Sequence, residues 1–263
     1  MKLVKLKDNR YKIKLDDGTI INTYEDVILE ENILYKKDID DELLEKINKK
    51  NNFYKIYTKT LKYVLTKIRS EKEIEEYLDK QEIDNTDKNK IIKKLKDNRM
   101  IDNNAYYKSY ISDRIRLYHD GPDKIKKELL NNNIDESKID NELLNYYEDI
   151  KEILIKEINK KLRNNKESEY KFKQRMINNF INKGYKKDMI IDVLDNISIN
   201  DSNSLDIEYK KLYTKLSKKY SDSELKYKLK NSLYQKGYKL DDINKVIEWR
   251  NQNYSLQLVI WNV

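Results

Sequence analysis

The sequence predicts a mainly α-helical protein built of tandem three-helix repeats, with a small antiparallel β-hairpin or sheet region at its N-terminus. Three observations lead there. The 263 residues include four Gly and one Pro, too few to turn the many hairpins of an all-β sandwich or barrel. Leu, Ile, Val, Tyr and Phe recur at three- and four-residue spacings through most of the chain, which is the period of amphipathic helices. A short turn ending in an apolar residue also returns at near-constant intervals: Gln81-Glu82-Ile83, Asn132-Asn133-Ile134, Lys183-Gly184-Tyr185 and Lys236-Gly237-Tyr238. Its apolar residues lie 51, 51 and 53 positions apart.

The head comes first. Leu3-Val4-Lys5-Leu6 and Tyr11-Lys12-Ile13-Lys14-Leu15 alternate with period two and are separated at Asp8-Asn9. Asp17-Gly18 then leads into Thr19 to Tyr24, and Asp-Gly between alternating runs signals a hairpin whose turn needs positive φ. Short helices are expected near 25–32 and 40–49. Three short strands are marginal alone, so the head should pack on the helical body.

Each later unit splits into three helices. In the first, helix one is expected over about 54–67, with Ile56, Tyr57, Leu61, Val64, Leu65 and Ile68 as its apolar face. Ser70 and Glu73 form a capping box that opens helix two. Helix three follows Thr86-Asp87 and should bury Ile91, Ile92 and Leu95. Gly121-Pro122 opens the middle helix of the second unit, with Pro suited to the first helical position. Ser221 and Glu224 repeat the capping box in the fourth. From cap to turn the distance is 13 residues in the first two units and 17 in the last two. Four residues make about one helical turn, so the apolar face survives the insertion. In the turns, Gly184 and Gly237 suit a left-handed residue after a helix end, and Asn133 is the usual substitute.

The predicted organisation is a head over 1–50, repeats over 51–101, 102–149, 150–200 and 201–250, and an apolar, strand-prone tail over 251–263. Stacked units that touch only their neighbours predict an elongated, curved body.

Composition removes several chemistries. There is no Cys, hence no disulfide, thiolate metal site or Cys nucleophile. The single histidine, His119, cannot build a multi-His metal site and reads as a turn residue beside Asp120-Gly121-Pro122. The glycines stand too far apart for a phosphate-cradling loop. Asp40-Asp41 and Asp241-Asp242 read as charges at helix starts rather than acid–base pairs. No catalytic residue, metal site or cofactor is predicted. No apolar run approaches the length of a membrane span and no signal-peptide pattern opens the chain, so a cytoplasmic monomer is expected.

Charge is what remains. The chain nets +8, yet residues 101–150 net −4 and 151–200 net +5. Residues 151–187 alone hold 12 Lys/Arg against 4 Asp/Glu. Lys160, Lys161, Arg163, Lys166, Lys171, Lys173, Arg175, Lys183, Lys186 and Lys187 are the candidate nucleic-acid contacts, since clustered cations bind phosphate backbones by releasing counterions. A solvated lysine-rich face is the plain alternative. Most of the 22 tyrosines sit at core spacing and read as packing.

Several segments of the body resemble the RecX family, bacterial regulators of the RecA recombinase. Ile68-Arg69-Ser70-Glu71-Lys72-Glu73-Ile74 with Tyr77-Leu78 resembles one family segment. Leu95, Met100-Ile101-Asp102 and Ala105-Tyr106 are similar to a second. Gly121-Pro122 with Ile125, Glu128-Leu129 and Ile134 resembles a third. Asn103 stands where the family has a second acid, and Asn132-Asn133 where it has Lys-Gly. The resemblance implies a non-catalytic protein lying in the groove of the RecA–DNA filament, modulating its activities and contacting single- or double-stranded DNA. It also implies that Arg69, Ser70, Glu73, Ile101, Asp102, Gly121, Pro122, Glu128 and Leu129 serve mainly as caps and core. The competing expectation is a DNA- or RNA-binding repeat protein that needs no RecA.

Overall fold

The computed structural model describes the backbone of residues 1–260 and the side chains of residues 1–250. Among these are three strands and thirteen α-helices, divided between two compact units: residues 1–109 with 132–134, and residues 110–131 with 135–263.

The first unit opens with β1 (Lys2–Lys5), β2 (Arg10–Lys14) and β3 (Ile20–Tyr24), an antiparallel sheet in sequential order. Asp8 and Asn9 both take positive φ in the first turn, the geometry that matches strand twist. Gly18 takes φ 88° in the second, where the Asp17 carboxylate accepts from the Thr19 backbone N–H at 2.8 Å. Helix α1 (Glu25–Glu30) and a 3₁₀ turn (Ile33–Tyr35) follow.

The two helices expected near 40–49 and 54–67 are one, α2 (Asp41–Leu65), capped by Asp40. Lys49, Lys50, Asn51 and Asn52 suggest a break, but no Gly or Pro enforces one. Both asparagines are used from within the helix: Asn51 donates to the Asn22 carbonyl and accepts from the Thr23 hydroxyl, and Asn52 donates to the Glu82 carbonyl. α2 therefore serves two cores. Ile47 and Tyr54 pack with Ile13, Val27 and Ile33 of the head. Ile56 and Val64 pack with α3 (Glu71–Leu78) and α4 (Asn85–Asp97) through Ile74, Leu78, Ile91 and Leu95. Leu65 and Ile68, expected on the apolar face, are exposed because the helix ends at Leu65. α4 is capped by Asp84 rather than starting after Thr86-Asp87.

Helix α5 (Asn103–Arg116) leads into the second unit, where α6 (Pro122–Asn131) and α7 (Glu136–Asn145) follow. Next come α8 (Tyr147–Leu162), α9 (Glu169–Asn182) and α10 (Lys187–Asp195). The last set is α11 (Ser202–Leu216), α12 (Asp222–Gln235) and α13 (Leu240–Ile260). α13 continues through most of the tail, so the run expected to be strand-prone is helical to Ile260; residues 261–263 lie outside the described residues. The middle helices α3, α6, α9 and α12 span 8, 10, 14 and 14 residues, with the added turn in the last two.

One contact recurs. The starts of α3, α6 and α9 each dock on the turn of the next set. The Ser70 hydroxyl donates to Asn132 Oδ1 at 2.7 Å, and the Ser168 hydroxyl donates to the Lys236 carbonyl at 2.6 Å. At the same place in α6, the Gly121 N–H donates to the Lys183 carbonyl at 2.7 Å, and a Cβ on Gly121 would overlap the backbone of Gly184 and Tyr185. Gly184 and Gly237 sit at φ 86° in Schellman turns closed by Tyr185 N–H to Phe180 and Tyr238 N–H to Leu233; Asn133 is left-handed at φ 59°. Turn 81–83 departs from the others, having no left-handed residue.

Ser221 also departs. The expected capping box does not form: the Ser221 side chain caps nothing, and Asp222 takes φ 47°. Ser70 and Ser168 are buried against the turns they meet, whereas Ser221 is exposed and makes no such contact among the described residues.

Gly121→Ala forces Cβ into backbone and is expected to cost about 3 kcal/mol or more. Gly18→Ala meets no neighbour and bears only the left-handed penalty, about 1–2 kcal/mol. Urea midpoints of the two variants, measured side by side, check this; equal destabilisation would refute the docking role.

Candidate nucleic-acid interface

The candidate cations are placed by two helices and their connections. Lys160 and Lys161 form the last turn of α8, where positive charge also suits the helix dipole. Arg163 caps that helix and Lys166 lies in the connection to α9. Lys171, Lys173 and Arg175 are on the first half of α9. Lys183 caps its far end, and Lys186 and Lys187 open α10.

Structure divides these ten residues in two ways. Lys183 lies twelve positions after Lys171, about 18 Å along the axis of α9. The cations thus form two groups, one at each end of α9, rather than one cluster. Two of the ten are also engaged. Lys173 bridges Glu169 at 3.3 Å and Asp195 at 3.1 Å. Burial opposes its charge, but the bonds to Asp195 and Glu169 outweigh that and raise its pKa. Arg175 binds Glu167 at 2.8 Å and lies over the Phe172 ring. The other eight have no ion pair among the described residues, and all but Lys183 are exposed.

A further set of cations was hidden by counting charge in long segments. Between Tyr209 and Lys230 the chain holds eight lysines against two carboxylates. Lys210 pairs with Asp206 and Lys228 lies over Tyr220. Lys211, Lys215, Lys218, Lys219, Lys226 and Lys230 have no ion pair among the described residues. A window the length of one helix pair reveals them; averaging over 201–263 dilutes them with Asp241, Asp242 and Glu248.

The residues carrying the family resemblance are held by internal contacts. Arg69 donates to the Tyr63 carbonyl at 2.9 Å and lies 3.5 Å over the Tyr63 ring, which stacks on Tyr77. Ser70 and Glu73 complete a capping box. Ile101 and Leu129 are buried, and Asp102 accepts from the backbone N–H groups of Asn104 and Ala105 at the start of α5. Glu128 takes both oxygens to Arg114 at 2.8 Å and accepts from the Tyr110 hydroxyl. Asn103 accepts from the Glu71 backbone N–H at 3.2 Å, a role an amide oxygen fills as well as a carboxylate.

His119 sits at φ 54° between α5 and α6, its Nδ1 3.4 Å from Glu157 and its carbonyl accepting from the Tyr185 hydroxyl. No group of three or more metal-ligating side chains occurs among the described residues, and no described helix is long and apolar enough to cross a membrane.

Comparison with known proteins agrees along nearly the whole chain. A family model described as "RecX, third three-helix domain" matches residues 205–247, the last of the three-helix sets here. The regulatory protein RecX of Oceanobacillus iheyensis is 31% identical over 252 residues, covering 91% of this chain and 93% of that protein. The regulatory protein RecX of Lactococcus lactis is 29% identical over 253 residues, covering 91% and 90%. A crystal structure of regulatory protein RecX superposes with a TM-score of 0.63 at 26% identity, covering 74% of this chain and 98% of that one.

The ion cluster at the start of α9 has a pH signature. Glu169 accepts from Lys239 at 2.6 Å and pairs with Lys173, which together outweigh burial and hold its carboxyl below the ordinary 4.5. A depressed folded value means the stabilisation is complete above about pH 4.5 and is lost as pH falls through the lower value. Glu169→Gln is therefore expected to cost about 0.5–1 kcal/mol at pH 7 and progressively less on acidification, read by thermal melts across that range. A cost that stays constant with pH would contradict the ion-pair account.

Proposed function

The chain belongs to the RecX family of regulatory proteins, and from that premise we propose that it regulates the RecA recombinase by lying in the groove of the RecA–DNA filament and touching DNA through its lysine-rich third helix set. The partner follows from the family. The DNA contact rests on one observation: eight of the ten candidate cations, Lys160, Lys161, Arg163, Lys166, Lys171, Lys183, Lys186 and Lys187, have no ion pair among the described residues. A cation already neutralised by a carboxylate gains little from a phosphate, while an exposed free one releases a counterion for each phosphate it meets. Lys173 and Arg175 are left out of the contact surface for that reason. The free lysines of α11, α12 and their connection extend it.

The same charge favours a second reading, a nucleic-acid-binding protein that acts without RecA, because phosphate attraction is indifferent to the partner on the strand.

Reversing Lys160, Lys161 and Lys171 to Glu is expected to weaken DNA binding at least tenfold. The slope of log affinity against log salt should become shallower by about 0.9 for each phosphate that is no longer neutralised. Lys173→Glu should instead lower thermal stability. Fluorescence anisotropy across a salt series reads the first effect, and an unchanged affinity and slope would remove the basic surface from the proposal.

RecA ATPase measured with DNA in large excess separates the two readings. Inhibition by substoichiometric protein that persists in excess DNA is the expected result. Inhibition that disappears as DNA is added would favour competition for DNA alone.

A further inference from the structure

The middle helices of the third and fourth sets flank a groove of about 590 Å³, lined by Glu169, Tyr170, Lys173, Tyr234, Gly237 and Lys239 among others. This is within the ~300–1,000 Å³ typical of ligand clefts. Tyr170 is 62% exposed and Tyr234 58%, although tyrosines of this chain are mostly buried or half-buried. Neither hydroxyl makes a hydrogen bond and neither ring contacts another ring among the described residues. The floor is kept low by Gly237, where a Cβ would meet Tyr170 carbons at 3.0 and 3.1 Å.

The fold does not require these rings. Counting from the cap, the positions equivalent to Tyr170 are Lys72 and Asp123; counting back from the turn, those equivalent to Tyr234 are Leu130 and Ile181. The same cap-to-turn docking is built in those sets without an aromatic at either place. Two large, planar, largely exposed aromatic rings therefore line one groove, where the docking of the other sets uses none.

Charge around the groove selects what they suit. Glu169 is the one carboxylate in the lining, and it is neutralised by Lys173 and Lys239. Lys171 follows Tyr170, exposed and without an ion pair, and Lys230 lies one helical turn before Tyr234. Phosphates are drawn to the free lysines outside, while the lining holds one carboxylate against two lysines and is otherwise uncharged and mostly apolar. A flat, uncharged ring attached to an anionic backbone fits both parts. A duplex, whose bases are stacked on one another, has no ring to offer.

We propose that this groove holds an unpaired base of single-stranded DNA against Tyr170 and Tyr234. The proposal rests on the DNA contact put forward above and gives it a strand preference.

Fluorescence anisotropy on the full chain tests it, with three labelled probes of equal length: an oligothymidylate, an abasic strand with the same backbone, and a duplex. The wild-type protein is expected to bind the oligothymidylate most tightly. Tyr170→Leu and Tyr234→Leu should each lower that affinity about tenfold, with little change for the abasic strand, while Tyr→Phe at either position keeps it. Circular dichroism confirms that the Leu variants are folded. Equal wild-type affinity for oligothymidylate and abasic strand, or Leu variants that keep the preference, would overturn the groove assignment. If all three probes bind equally and charge reversal at Lys160, Lys161 and Lys171 weakens all three, the basic surface stands and the groove alone fails. If no probe binds, both fall together.

Discussion

Close approach between the start of one middle helix and the turn of the next set is the constraint on which the body depends. It needs a residue small enough to let backbone meet backbone, and the chain places Ser70, Gly121 and Ser168 there. The two serines bring a hydroxyl that would be costly to bury unpaired, and each donates it to the turn it meets. The next residue poses a second problem, because a helix's first N–H groups have no partner within the helix. Asn103 and Asp201 supply one, accepting from the N–H groups of Glu71 and Glu169 at 3.2 and 2.8 Å. In the second set that position is Pro122, which has no N–H to satisfy. Its proline and its glycine are thus two parts of one solution, removing the unsatisfied donor and the obstructing side chain together.

Ion pairing decides which cations stay free. Carboxylates near the docking sites hold cations: Glu169 binds Lys173 and Lys239, Glu167 binds Arg175, and Glu208 binds Lys236. Free cations lie beside those sites, at Lys171 and Lys183, as well as away from them, at the end of α8. The net positive surface is therefore what remains after the structural ion pairs are formed, and it includes helix ends and connections, such as Lys160 and Lys166, as well as helix interiors, such as Lys211 and Lys226.

Much of this was legible in the sequence because it obeys local rules. Alternation and an Asp-Gly turn located the sheet, and the recurring turn located the helix pairs. What escaped was decided by long-range contacts. Asn51 and Asn52 look like a break until the sheet strand and turn that bind them are known. Ser221 carries the same local signature as Ser70, but Ser70 is buried against Asn132 while Ser221 is exposed. Lys173 and Lys171 are indistinguishable in a charge count and differ only in having Glu169 and Asp195 within reach. Tyr170 and Tyr234 were masked by a composition so rich in tyrosine that two exposed rings look like ordinary packing.

The family motifs and the proposed contact residues are different sets. Arg69 is spent on the end of α2 and on the Tyr63 ring, Glu73 on the Ser70 cap, Glu128 on Arg114 and Tyr110, and Ile101 and Leu129 on the core. A side chain with its hydrogen-bonding groups satisfied inside its own fold has little left to offer a partner. Motifs of this kind identify the scaffold because any chain that stacks these helices must solve the same close approach, whichever filament or strand it meets. The lysines and tyrosines proposed above as contacts are, by contrast, side chains without an ion pair or hydrogen bond among the described residues. Kinship is therefore readable from motifs because motifs record the scaffold, whereas a proposed contact surface draws on side chains that the scaffold leaves unpaired.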